Sequence, residues 1–423
     1  MVILKAIKNY KLKIKNCGLF LTFIFHFSFF IFHCLYGYTY RGAVLGLGDS
    51  VGGFTARNAA VGEVSVLSGG EPTSIFANPS ELSVDSRVSI SQTNELINGY
   101  ERRLHNDAEQ TTISNSNLYL LPTSGAVSVC PIKQKLAVAI GAIKILDSNY
   151  HYTENVYGEI RVVEKNSISA DGEIYIYGGG ASYIPVEWLK LGVAGFLITG
   201  KPDRKITEIL FSPQTGSETS RTTSIVNNSF SGSGFRIGTV LQSEELKLGI
   251  ALNNLLSVKN DYSINGQMSR YEYRFPATLS AGFAFKFRGI TRPTFLIQLD
   301  YTWWGSAEQK VANSKWTDIG YCNTLSWHFG AEHWLKHDIP FRYGLAVVQD
   351  QTRKGVQTSV VSIGSGLKLW IIQWDIALQY FMRRITSETR LFPVEENAAY
   401  PLINLETVDD YTKRLTLTGT VKW

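Results

Sequence analysis

Beyond its first 37 residues the chain has only two cysteines, Cys130 and Cys322. Two thiols so far apart make neither a disulfide framework nor a Cys-based metal site, although a single disulfide in an oxidising compartment stays open. After the same point no apolar run reaches the roughly 20 residues of a membrane-spanning helix. Charge is also scarce, with Asp, Glu, Lys and Arg together at 18% of residues. The formal charge is +5, and five lysines with no acid lie within residues 1–37, which leaves the remainder close to neutral. Such a chain has no basic patch with which to hold nucleic acid.

What is present begins with a signal for export. Lys5, Lys8, Lys11, Lys13 and Lys15 precede an uncharged stretch from Gly18 to about Gly37, dominated by Leu, Ile and Phe. A basic region followed by an apolar core is the pattern of a secretory signal peptide. The expectation is a signal over 1–37, cleaved between Gly37 and Arg41. The core is about 18 residues long, so an uncleaved anchor is the alternative. Cys34 raises a lipoprotein reading, but Ile31, Phe32 and His33 are not the small residues that signal needs.

The remainder is written in period two. At the C-terminus Leu415, Leu417, Gly419, Val421 and Trp423 share one face, and Arg414, Thr416, Thr418, Thr420 and Lys422 the other. Alternation of this kind is a β-strand between two different media. In 293–304 Phe295, Ile297, Leu299, Tyr301 and Trp303 oppose Thr294, Gln298, Asp300 and Thr302, with Leu296 breaking the polar face. In 372–382 Ile372, Trp374, Ile376, Leu378 and Tyr380 oppose Gln373, Asp375 and Gln379. A soluble barrel or the edge of a β-sandwich would show the same period. The export signal and the terminal aromatic favour a wall that faces lipid.

Strand-like segments fall in pairs. Short turns at 131–134, 184–186, 242–245, 288–292, 337–338 and 370–371 alternate with polar loops at 94–116, 147–172, 200–232, 255–275, 305–322, 349–360 and 383–411. Short turns at one end and long loops at the other is the layout of bacterial outer-membrane barrels. The expected fold is all-β: a transmembrane antiparallel β-barrel of about 14 strands, with twelve or sixteen as the neighbouring counts. Asp300, Asp375, Gln298, Gln373 and Gln379 are then candidate polar residues of the lumen. Trp423 is the candidate aromatic that barrel-assembly machinery reads.

Enzyme motifs are weak. Gly46-Leu-Gly48-Asp-Ser-Val-Gly52 is off by one from the dinucleotide fingerprint, and no helix pattern with a later acid follows it. His333 and His337 lack the Glu of a zinc protease, and Ser362-Ile-Gly-Ser-Gly366 is not a nucleophile elbow. Asn227-Asn-Ser229 is a glycosylation acceptor only in a eukaryotic secretory route. No enzymatic activity, metal or cofactor is expected.

Residues 42–84 break the strand pattern. Gly46, Gly48, Gly52 and Gly53 suit tight turns and close packing, and Asn78-Pro79 ends an irregular segment. A compact segment before a wide barrel can plug its lumen, which side chains alone do not fill. The glycine-rich opening, the run from Pro72 to Asn78-Pro79-Ser80 and then Leu82 resemble the start of the FadL family of outer-membrane transporters and of the related PorV-like family. Ser80 stands where those families carry Ala. Arg274-Phe275-Pro276 before Leu279, Ser280 and Gly282 is similar to a second feature of such barrels. The resemblance implies a hatch over 38–84, with Gly46, Gly48, Gly52, Gly53, Asn78 and Pro79 as its motif, and a barrel over 85–423. It implies passive passage of a small hydrophobic compound, a fatty acid or an aromatic, in contact with outer-membrane lipid. A PorV-like reading instead implies secretion-system proteins as partners, and a structural or adhesive barrel is a third reading.

Overall fold

A computed structural model describes residues 49–50, 54–67 and 69–423, apart from 106–109, 114–120, 149, 158–161, 213, 289–291, 312–313, 336–338, 352–353 and 388–405. The expected export signal 1–37, and Gly46, Gly48, Gly52 and Gly53, lie outside the described residues. So does most of the expected loop 383–411.

Fourteen strands close a barrel. They are β1 Val88–His105, β2 Leu121–Ile132, β3 Leu136–Asp147, β4 Glu173–Val186 and β5 Leu189–Gly200. β6 Glu218–Gln242, β7 Leu246–Ile264, β8 Thr278–Lys286, β9 Thr294–Thr302 and β10 Thr324–Trp334 follow. β11 Pro340–Gln349, β12 Gln357–Leu369, β13 Ile372–Ser387 and β14 Glu406–Lys422 complete it. Each pairs antiparallel with its sequence neighbour, as in Gly282↔Gln298 and Gly344↔Ser362. β14 pairs with β1 from Lys422↔Ser89 to Glu406↔His105, which closes the barrel. Trp423 completes the seam: its carbonyl accepts from Arg87 N at 2.7 Å and its N–H donates to Val88 O at 3.0 Å.

The alternation has the expected sense. Leu248, Phe283, Ile297, Phe329, Leu345 and Val361 lie side by side across β7 to β12, each 38–48% exposed, as a belt for lipid contact. The opposite face is buried. Leu296, the residue that breaks the polar face of its strand, points inward and packs with Val61, Val64, Val66 and Leu67.

Two expectations need correction. Pro185 lies inside β4, and the turn falls at Glu187-Trp188. The segments expected as polar loops are largely β-structure. Tyr150–Tyr157, Val162–Asp171, Asp203–Phe211, the outer halves of β6 and β7, Gln267–Arg274 and Glu308–Val311 pair in that order as one sheet rising above the barrel. At 25 residues β6 spans about 80 Å, far more than the ~30 Å of hydrocarbon. Toward its tips the crown carries polar residues on both faces and the apolar half of the alternation fades, while lower down Tyr150, Ile168, Ala170, Val226 and Val258 stay buried on one face. Cys130 and Cys322 are free thiols.

Candidate functional site

The lumen is occupied by residues 54–84. A short helix, Ala56–Ala60, opens this plug, with Thr55 as its N-cap. Its Ala56, Ala59 and Ala60 pack on Ala377 of β13, because only small side chains allow a helix so near a wall. Two 3-10 turns follow, Pro72–Phe76 and Pro79–Glu81.

Asn78 is fully buried and ties the plug to itself. Its Nδ2 donates to Val66 O at 2.9 Å, and its Oδ1 accepts from Ser80 N at 3.1 Å and Ser80 Oγ at 2.6 Å. Pro79 starts the second turn where an N–H would have no partner. Ser80 O in turn accepts from Ser182 Oγ of β4 at 3.0 Å.

The wall meets the plug through glycine. Gly192, Gly238, Gly249, Gly282, Gly330, Gly344 and Gly364, on β5 to β8 and β10 to β12, each face the plug so closely that a Cβ would overlap it. On β9, between them, Gln298 does the same work with a hydrogen bond: its Oε1 accepts from Ser65 N at 2.8 Å and Val66 N at 2.9 Å.

Of the other candidate lumen residues Gln379 meets the plug directly, whereas Asp300, Asp375 and Gln373 engage partners on the wall. Gln379 Nε2 donates to Glu63 at 3.2 Å. Asp300 pairs with His328 at 3.1 Å, and His328 Nδ1 lies 2.9 Å from Gly62 O. Asp375 and Glu332 flank Arg342 at 2.6 Å each, Glu332 reaches Arg57 of the plug at 3.2 Å, and Gln373 donates to Asp375 at 3.3 Å. On the opposite wall Glu81 of the plug takes Lys247 at 2.9 Å and Lys190 at 3.3 Å. Burial pushes the Glu81 carboxyl up, but the two ammonium groups outweigh it and hold it below the usual carboxylate range. Glu71 goes the other way: burial, then the Asp375 charge, raises it.

The luminal wall is divided. β9 to β14 and β1 present most of the ion pairs and amides, with exceptions at Lys144 on β3, Lys190 on β5, Arg236 on β6 and Lys247 on β7. β2 to β7 present Ile143, Ile174, Ile176, Phe196, Ile198, Phe230 and Val258, one apolar column that reaches Ile75 and Phe76 of the plug and Tyr273 and Phe275 of the crown. The column also reaches an interruption in the wall. Toward the crown the last described β2–β3 pair is Ser124↔Ile143. Beyond it β3 bulges at Lys144/Leu146 and pairs Leu146 and Asp147 with Ser50 and Asp49 instead. Buried Lys144 holds this stretch by bridging Asp147 at 2.9 Å and Glu173 at 2.7 Å. Two cavities, of about 540 and 260 Å³, lie between plug and wall at the short-turn end, and Arg57 and Trp334 line both.

The wall glycines, Glu81, Arg342 and Glu332 escape a reading of the sequence. One signal was available: each of the seven glycines lies about four to six residues from a short turn, so they recur at one height in the wall.

These features define a plugged, closed, fourteen-stranded transmembrane barrel, a class that points to an outer membrane. No family model and no curated protein matches the chain. Solved structures do. A Pseudomonas aeruginosa FadL homologue is 15% identical over 89% of this chain and 99% of its own, with a TM-score of 0.63. The P. putida toluene transporter TodX is 14% identical over 89% and 99%, at 0.62. The Ralstonia pickettii toluene transporter TbuX is 12% identical over 88% and 98%, at 0.57. At such identities the likeness is one of fold, and the fold is that of the FadL-type barrels.

Proposed function

We propose that the chain is an outer-membrane transporter of small hydrophobic compounds, with residues 38–84 as its hatch. The observation that carries this reading is the continuous apolar column from Tyr273 and Phe275 to Ile75 and Phe76. A hydrophobic solute gains about 25 cal/mol for each Å² it buries there, and the polar half of the lumen offers no such gain. Ile143 places the column beside the break between β2 and β3, which supports a sideways exit into the membrane. The names of the structural neighbours, a FadL homologue and two toluene transporters, agree with this substrate class. The five polar lumen candidates then act as anchors of the hatch. The reading includes an N-terminal signal peptide and Trp423 as an assembly signal, and calls for no catalysis.

The test is uptake of labelled toluene and oleate into cells that express the chain in an outer membrane lacking other such transporters. Uptake of either should exceed the empty control, and Phe196→Asp should reduce it more than tenfold by placing a carboxylate in the column. Uptake equal to the control, with a protein that co-purifies in stoichiometric amount, would replace transport by the secretion role of a PorV-like barrel.

A further inference from the structure

From β7 to β12 the belt for lipid contact is a row of bulky apolar side chains, and at the seam of the barrel it is not. There six residues stand in register across six strands: Trp374 of β13, Gly419 of β14, Gln92 of β1, Gly125 of β2, Ala142 of β3 and Tyr177 of β4. A carboxamide lies among two glycines and an alanine, with a large ring at either end of the row. At about 4.8 Å between strands the two rings are about 24 Å apart.

Asn94 carries a second carboxamide on the same face, beside Leu417. The outward sense of both follows from their neighbours. Ser91, Thr93 and Glu95 are buried toward plug and lumen, whereas Ile90 is 40% exposed on the lipid side. Apolar residues flank the pair, Ile90 with Val127 and Val421 toward the short turns and Leu96 with Leu415 toward the crown, so both amides lie within the apolar band. The run Ser91-Gln92-Thr93-Asn94-Glu95 is therefore polar on both faces inside a membrane-spanning strand. Lumen water does not account for the outer face, because Gln92 is paired to a neighbouring strand on each side. Among the described residues the one side-chain hydrogen bond of either amide runs from Gln92 Nε2 to Asn94 Oδ1 at 3.4 Å. The Gln92 carbonyl and the Asn94 amino group are left facing hydrocarbon, which offers them no partner.

We propose that this face of the seam is where a second copy of the chain packs. A carboxamide is self-complementary, since it carries both donors and an acceptor. Two copies related by a two-fold axis supply each other's missing partners at the same height, which a neighbour with an apolar wall does not. Two convex barrels touch along a line. Gly419, Gly125 and Ala142 let the walls approach at that line, so that side chains as short as Asn and Gln reach across. Trp374 and Tyr177 fill the wedge that opens to either side. The contact stands apart from the transport reading, because neither amide faces the apolar column.

The experiment is photo-cross-linking in the outer membrane of cells that express the full chain at low level. The probe p-benzoylphenylalanine replaces Leu417, which keeps both amides in place, or Ile297 on β9; the two positions are 39% and 40% exposed. The probe at Leu417 should join two copies of the chain, identified by mass spectrometry of the linked peptides, and the probe at Ile297 should do so about tenfold less. Gln92→Leu combined with Asn94→Leu should lower the product at Leu417 about tenfold. That variant extends the apolar belt and changes no inward residue, and heat-modifiable migration checks that its barrel is intact. Equal yields from the two probes would mean random collision, and an unchanged yield in the double variant would mean a contact elsewhere; either overturns the proposal. A product at Leu417 that contains a different protein overturns the second copy, and no product there overturns the contact itself.

Discussion

A single methyl group placed on the wall should unseat the plug without harming the barrel. The positions are Gly192 and Gly344, whose added Cβ would lie 2.6 Å from Ser80 Cα and from Gly62 Cα. Carbon atoms in contact prefer about 3.5–4.0 Å, so the plug must retreat by about 1 Å. The obstructing atoms are plug backbone, which cannot rotate away as a side chain would. Overpacking of this kind costs about 1–3 kcal/mol. The wall can take Ala within its strands, so the cost falls on plug seating, and the unseated fraction should rise about 5–150-fold per substitution. The assay is ionic leak across a planar bilayer holding the purified barrel, with protease nicking within 54–84 as a second measure. Gly195→Ala is the control, on the same strand as Gly192 with nothing within 4 Å of the added carbon. Equal leak from all three variants, or a barrel destabilised as much as the plug, would refute the reasoning.

Glu81→Gln leaves Lys190 and Lys247 with no carboxylate; it should weaken plug seating by about 1–3 kcal/mol, read as a lower urea midpoint for protease nicking. Because the Glu81 carboxyl titrates below its ordinary value of 4.5, its contribution is full above that pH and is lost as pH falls through the lower folded value. Leak should therefore rise on acidification below about pH 4.5, and rise less in Glu81→Gln. Glu71 has the opposite sign, its contribution falling as pH rises through its raised value, so it cannot produce the acid-side leak. Asn78→Ala removes the bond to Val66 O and the cap on Ser80 N, and should cost about 1–2 kcal/mol of plug seating in the same nicking assay.

Much of the wall was legible because lipid and lumen differ. Where a strand such as β9 separates the two, Phe295 and Ile297 alternate with Gln298, and period two is visible in one sequence. The crown was illegible for the same reason inverted. In Asp203–Phe211 and its partner Glu218–Asn227 both faces carry polar residues, Arg204 and Thr222 on one and Arg221 and Thr207 on the other. The polar lumen candidates were found through their charge in an apolar strand, but not their partners. That Gln298 holds Ser65 and Val66, 233 and 232 residues away, is a fact of closure that no local pattern carries. Asn78 was legible as the end of an irregular segment, whereas its clasp on Val66 was not.

The division of the lumen predicts that two functions of this barrel can be broken separately. The polar half seals: Arg342 is 2% exposed and bridges Glu332 and Asp375, and through Glu332 it fixes Arg57 of the plug. Arg342→Met leaves buried Asp375 without an ion pair and Glu332 with Arg57 alone, a loss of about 3–5 kcal/mol whose relief requires water to enter beside the plug. The variant should therefore leak ions and, on the transport function proposed above, keep toluene uptake through the apolar column on the opposite wall. Phe196→Asp does the reverse, since it lies in the column and far from the ion pairs that seat Arg57. It should stop toluene uptake with no rise in ion leak. If either variant altered both readouts to the same degree, the lumen would work as one undivided pore, and the separation of an anchoring half from a conducting half would have to be abandoned.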